Sequence, residues 1–107
     1  FAMAWAILLA ASVVEILMGL SLKYADGWTR PIPSILGIGT ALGSVCLLTL
    51  AMKELPAGTA YAAWTGIGSV GITVLGMVLF GDPVTWFRIA CIALIIVAVV
   101  GLRFVEG

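Results

Sequence analysis

Histidine is absent from this chain of 107 residues, and charged side chains make up only 9% of it. The cysteines Cys46 and Cys91 lie inside apolar runs without acidic neighbours, so they form neither a metal-binding set nor a redox pair. The formal net charge is zero, which leaves no basic patch to replace the counterions of a nucleic acid. We therefore expect no metal, no cofactor and no nucleic-acid partner.

Apolar residues are abundant, at 64% of the chain. A soluble domain is only about 45–50% apolar, and a fold of this size still exposes much of its chain to solvent. Lipid is therefore the solvent that this composition requires. We expect an integral membrane protein.

Four apolar stretches are long enough to cross a bilayer, which takes about 20 residues per helix. They cover residues 4–22, 32–51, 58–80 and 84–105, and short polar breaks rich in proline, glycine and charge separate them. Backbone groups in lipid must bond internally, so each stretch is predicted to be a helix. The fold class is all-α, with four transmembrane helices in a single domain over residues 3–107. Phe1 and Ala2, ahead of Met3, are interpreted as a remnant that is not native.

Glu15 is the one charged side chain deep inside an apolar stretch. A charge at the centre of a membrane helix costs at least about 2.5 kcal/mol, so such a residue marks a functional site by default. Ser12 lies one turn before Glu15 and Met18 one turn after it, on the same helix face. We expect Ser12 to donate a hydrogen bond to the carboxylate.

The other polar groups at membrane depth include Ser44 in the second span and Tyr61 and Trp64 in the third. Hydroxyl donors and aromatic faces around a carboxylate form a site for an organic cation. An interfacial aromatic belt is the alternative explanation for Tyr61 and Trp64. One carboxylate holds either a proton or the cation, so competition at Glu15 would couple their fluxes. An enzyme is not expected, because no second acid, base or nucleophile accompanies Glu15.

Small residues in the last two spans predict where helices pack closely. Cys91 and Ala98 are seven residues apart in the fourth span, which favours packing between two copies of the chain. Gly66, Gly68 and Gly71 in the third span serve either close packing or bending. One side of the membrane would carry three basic loop residues and the other side two. This small difference does not decide between a single topology and a dual topology.

These residues resemble the small multidrug resistance family of four-helix bacterial exporters. The features that carry the resemblance are Glu15, the loop at residues 22–30, Leu55-Pro56 and the run GTAYAAWTGIG at residues 58–68. The resemblance implies an antiparallel, dual-topology homodimer in the bacterial inner membrane and proton-coupled export. It also implies that two copies of Glu15 share one site, which Tyr61 and Trp64 line, with Ser44 as a carboxylate partner.

Within this family the chain is more similar to the guanidinium-exporter branch, through residues 64–68, Ser44 and residues 101–103. It departs from that branch at Met18, where the branch carries Trp, and at Ser12, where it carries Gly. The expected function is proton-coupled antiport of guanidinium or related small guanidinyl cations. The alternatives are a multidrug or quaternary ammonium antiporter, one subunit of a heteromeric pair, and a membrane subunit that does not transport.

Overall fold

The computed structural model describes residues 2–105 as four α-helices joined by three short loops, with no strand in that range. The helices are α1 (Ala2–Tyr24), α2 (Pro31–Ala51), α3 (Ala57–Leu79) and α4 (Trp86–Val105). Each is long and apolar enough to cross a membrane. Phe1, Glu106 and Gly107 lie outside the described residues. The interpretation of Phe1 as a remnant and the expected end of the domain at residue 107 therefore concern residues that the structure does not describe.

The loop chemistry explains where the helices stop. After α1, the residues Asp26, Gly27 and Trp28 adopt left-handed backbone angles, with φ of 48°, 68° and 72°. This conformation disfavours continuation of a right-handed helix. Pro31 then opens α2, where its missing N–H costs no helical hydrogen bond. The chain therefore reverses direction within a few residues.

The fourth helix begins later than the sequence suggested, at Trp86 and not at Val84. The Thr85 hydroxyl accepts a hydrogen bond of 3.2 Å from the backbone N–H of Arg88, three residues on. A threonine that accepts from this position caps a helix N-terminus. Val84 consequently belongs to the loop.

Helix α1 packs against both α2 and α3, and α3 also contacts α2 and α4. The buried core lies where α1 begins and is built mainly from alanine and leucine; its members are Ala4, Trp5, Leu8, Leu48, Ala51, Leu55, Ala60 and Ala63. Alanine lets helix backbones approach closely, as membrane helices require. The bundle is therefore tightly packed at this end.

Helix α4 packs on α3 alone among the described helices and contains no buried residue. The protomer is flat, with principal extents of 42 × 34 × 16 Å. Apolar side chains on α4 thus face outward along its whole length. Only lipid or another protein chain can cover them.

Candidate functional site

The Glu15 carboxylate lies at the contact between the middle of α1 and α3. Its side chain is partly buried, and its Oε2 atom is enclosed without a hydrogen-bond partner among the described residues. The carboxylate packs directly on the backbone of Gly68, where an added Cβ would overlap both Oε2 and the carboxyl carbon. A buried polar atom without a partner is costly. Glu15 therefore has an unused acceptor at membrane depth.

Ser44 connects three helices through two hydrogen bonds. Its hydroxyl donates to the Ala11 carbonyl of α1 over 2.7 Å and accepts from Trp64 Nε1 of α3 over 2.8 Å. The side chain is fully buried. In this arrangement Ser44 is not bonded to Glu15, although the family resemblance implied that role. Its hydroxyl instead fixes the position of the Trp64 indole, one turn of α3 before Gly68.

Ser12 also differs from the expectation. Its hydroxyl donates to the Leu8 carbonyl over 2.9 Å and not to Glu15. Serine in a helix readily bonds the carbonyl four residues earlier, because that oxygen is within reach of its hydroxyl. Ser12 is fully buried, whereas Met18, one turn beyond Glu15, is partly exposed. Met18 is an apolar, flexible residue on the same face of α1 as Glu15.

The aromatic residues Tyr61 and Trp64 form an edge-to-face pair, with ring centroids 5.3 Å apart and planes at 67°. Tyr61 is exposed, at 56% of its surface, while Trp64 is partly buried. Trp64 directs its N–H to a buried serine inside the protomer. The pair thus presents ring surface beside the α1–α3 contact that holds Glu15.

Three glycines of α3 permit close helix approach on two sides. A Cβ at Gly68 or Gly71 would overlap Glu15 or Ile16 of α1, and one at Gly66 would lie 2.9 Å from Val99 of α4. These three positions serve close packing of α3 against α1 and α4. Cys91 and Ala98 are exposed on α4, away from Glu15.

Two contacts had no signal in the sequence. The Arg103 guanidinium lies over the Trp5 ring, 5.4 Å from its centroid, and joins the end of α4 to the start of α1. Gly19 of α1 receives Ile72 of α3, whose side chain would lie 3.1 Å from an added Cβ. Both pairs are distant in the chain, so no local pattern announces them. Within residues 2–105, no cluster of histidine, cysteine and acidic residues is suitable for a metal ion.

A family model described as Small Multidrug Resistance protein matches residues 3–95. The chain belongs to the small multidrug resistance family. As a member of it, the protein is a multi-pass membrane protein, and its four helices are the membrane-spanning segments.

Curated relatives of this small multidrug resistance protein cover nearly its full length. It is 48% identical to a protein of Yersinia pseudotuberculosis named Guanidinium exporter, over 94% of this chain and 97% of the relative. Proteins with the same name from Proteus vulgaris and Escherichia coli are 45% and 44% identical, over 94% of this chain and 97% and 96% of their own lengths. These names are those of transporters and not of enzymes.

Proposed function

We propose that this protein exports guanidinium or related small guanidinyl cations across the bacterial inner membrane in exchange for protons. The observation that carries the proposal is the enclosed Glu15 Oε2 atom, which has no partner among the described residues. The names of the relatives support the choice of cation. A planar guanidinium suits a carboxylate, because two parallel N–H groups can bond its two oxygens.

Exchange follows from competition for one group. A protonated Glu15 has no charge to attract the cation, and a cation-bound Glu15 has no place for the proton. Each ligand must therefore leave before the other binds. Proton entry down its gradient then drives cation exit, provided that the empty, charged site seldom changes sides.

The functional unit in this proposal is an antiparallel homodimer. Helix α4 supports it, because this helix packs only on α3 and leaves its apolar surface uncovered within the protomer. Cys91 and Ala98 lie on that surface, where small side chains allow a second α4 to approach. Pairing places two copies of Glu15 at one shared site, which the flat protomer cannot enclose alone.

Quaternary ammonium cations are the second candidate substrates, because the residues near Glu15 include apolar and aromatic side chains. Met18 adapts to varied shapes, and the faces of Tyr61 and Trp64 attract cations by about 0.5–2 kcal/mol. Quaternary ammonium cations would use these contacts without any N–H donor. The alternative to the homodimer is a heteromeric pair, in which this chain is one of two different subunits.

Transport currents from reconstituted proteoliposomes test the proposal. Guanidinium and tetrapropylammonium are applied separately to vesicles with an imposed proton gradient. We expect current with guanidinium that reverses with the gradient, and its complete loss in Glu15→Gln. The matched control is Asp26→Asn, which changes an exposed loop carboxylate and should retain the current.

The outcomes separate the candidates. Current from tetrapropylammonium alone would favour the quaternary ammonium class. Guanidinium-driven current that persists in Glu15→Gln would exclude the carboxylate as the exchange site. No current with either cation, in a preparation whose dimer is intact, would support the membrane subunit that does not transport.

A further inference from the structure

Hydroxyl groups are used differently in the four membrane helices. In α1 and α2 every serine and threonine hydroxyl donates to a backbone carbonyl; the donors are Ser12, Ser21, Ser34, Thr40, Ser44 and Thr49. Helix α4 contains no serine or threonine. Such internal bonding is what lipid surroundings favour, because an unbonded hydroxyl is costly there.

Helix α3 breaks this pattern. Thr59 at its start is engaged, but within residues 2–105 the hydroxyls of Thr65, Ser69 and Thr73 make no hydrogen bond. The three residues are spaced four apart, so they form one row along the helix. We call Thr65, Ser69 and Thr73 the hydroxyl row. It extends over about 12 Å of the helix.

The hydroxyl row adjoins the Glu15 site. The neighbouring row of α3 contacts α1 and α2, since Trp64 bonds Ser44, Gly68 meets the Glu15 carboxylate and Ile72 packs on Gly19. On the other flank, Gly66 receives Val99 of α4. The hydroxyl row therefore lies between the α1 contact and the α4 contact of the same helix.

The two ends of the protomer differ in whether α1 and α4 meet. Helices α1 and α4 do not pack against each other, but Arg103 covers Trp5 where α1 begins and α4 ends. At the opposite end, near Thr73, no buried core residue within residues 2–105 joins α1 to α4. The row thus runs from beside Gly68, which the Glu15 carboxylate contacts, towards the C-terminal end of α3.

We propose that hydroxyls of the row Thr65, Ser69 and Thr73, one or two at a time, accept hydrogen bonds from those N–H groups of the cation that do not bond Glu15, and so select cations rich in N–H donors. This inference rests on the proposed function. A guanidinium that gives two N–H groups to Glu15 retains others that need acceptors when water is removed. Hydroxyl oxygens with no bond inside the protomer supply them. A tetraalkylammonium ion has no N–H group and cannot donate a hydrogen bond to this row.

The test compares cation affinities of variants that lack hydroxyls. Ser69→Ala/Thr73→Val removes two members of the row with little change in shape. Thr40→Val/Thr49→Val is the matched control, because these α2 hydroxyls are bonded within their own helix. Affinity is measured as proton release from purified protein on addition of guanidinium or of N,N,N′,N″-tetramethylguanidinium, whose two N–H groups are on different nitrogens and can both go to Glu15.

We expect Ser69→Ala/Thr73→Val to weaken guanidinium affinity by about threefold to thirtyfold, the effect of one or two lost hydrogen bonds. Affinity for tetramethylguanidinium and the control variant's affinities should stay unchanged. An unchanged guanidinium affinity would overturn the inference. So would an equal loss for both cations together with dissociation of the dimer, because the row would then hold the partner copy.

These outcomes are distinguishable from failure of the proposed function itself. Glu15→Gln, measured in parallel, should abolish proton release by both cations. If it does so while the hydroxyl variants match the unsubstituted protein, Glu15 is the exchange site and only the hydroxyl row is excluded. If Glu15→Gln releases protons normally, the proposed function fails as well.

Discussion

At the scale of single residues, the site depends on a missing side chain. Glu15 approaches the α3 backbone because Gly68 has no Cβ, and this approach encloses one carboxylate oxygen without giving it a donor. Trp64 is held one turn away by Ser44, whose other bond goes to Ala11 of α1. The Glu15 carboxylate and the Trp64 indole are thus positioned by separate contacts.

Gly68→Ala should displace the Glu15 carboxylate, because the new Cβ overlaps it. We expect guanidinium affinity to fall by about tenfold or more, a loss of about 1.4 kcal/mol of binding free energy. The measurement is isothermal titration calorimetry of the purified protein with guanidinium. Gly39→Ala, whose Cβ would meet no atom within 4 Å, should bind normally. Normal binding by Gly68→Ala would show that the carboxylate does not need this position.

At the scale of the helix, α1 and α4 have opposite roles. α1 carries the charged group and packs on two neighbours, whereas α4 meets only α3, with Gly66 receiving Val99 and Ile95. A membrane helix gains nothing from hydrophobicity alone when it leaves lipid for a protein surface, so packing shape decides association. The row of Cys91 and Ala98 offers that shape.

Ala98→Trp should weaken the dimer, because a large side chain prevents two α4 helices from approaching at this row. We expect the monomer fraction in detergent to rise, measured by cross-linking or by light scattering, and transport to fall with it. Ala93→Trp introduces the same side chain on a different face of α4, about 140° away. It should leave the dimer intact. Equal effects of the two substitutions would argue against an interface at Ala98.

At the scale of the whole molecule, charge is almost evenly distributed between the two ends. Lys23, Arg30 and Arg88 lie at one end of the helices, and Lys53 and Arg103 lie at the other. Orientation in the membrane follows the excess of positive charge on the cytoplasmic side. A difference of three against two fixes neither orientation.

We therefore predict that small charge changes will fix the orientation. Ala57→Lys and Thr29→Lys add a positive charge at opposite ends, so each variant should insert in one direction, as reporter fusions to the C-terminus would show. Each variant alone should lose resistance to guanidinium in cells, since an antiparallel pair needs both orientations. Co-expression of the two should restore it. Full activity of either variant alone would contradict dual topology.

Much of the fold could be read from local composition. Apolar stretches in lipid must be helical, so the four helices and the special position of Glu15 were both expected. The start of α4 was missed because the Thr85 hydroxyl, and not hydropathy, sets it. The partners of Ser12 and Ser44 were also missed, because a hydroxyl chooses among nearby carbonyls that only a folded chain brings into reach.

The sequence by itself determined that this protein is embedded in a membrane, spans it four times and carries one carboxylate in the middle of a span. These properties depend on the length, hydropathy and residue types of the apolar stretches. Tertiary structure decided which atoms meet that carboxylate and which hydroxyls stay unbonded. Helix packing brings Gly68 to Glu15, separates α1 from α4 and joins Trp5 to Arg103. Such contacts join residues far apart in the chain, and local sequence periodicity does not predict them.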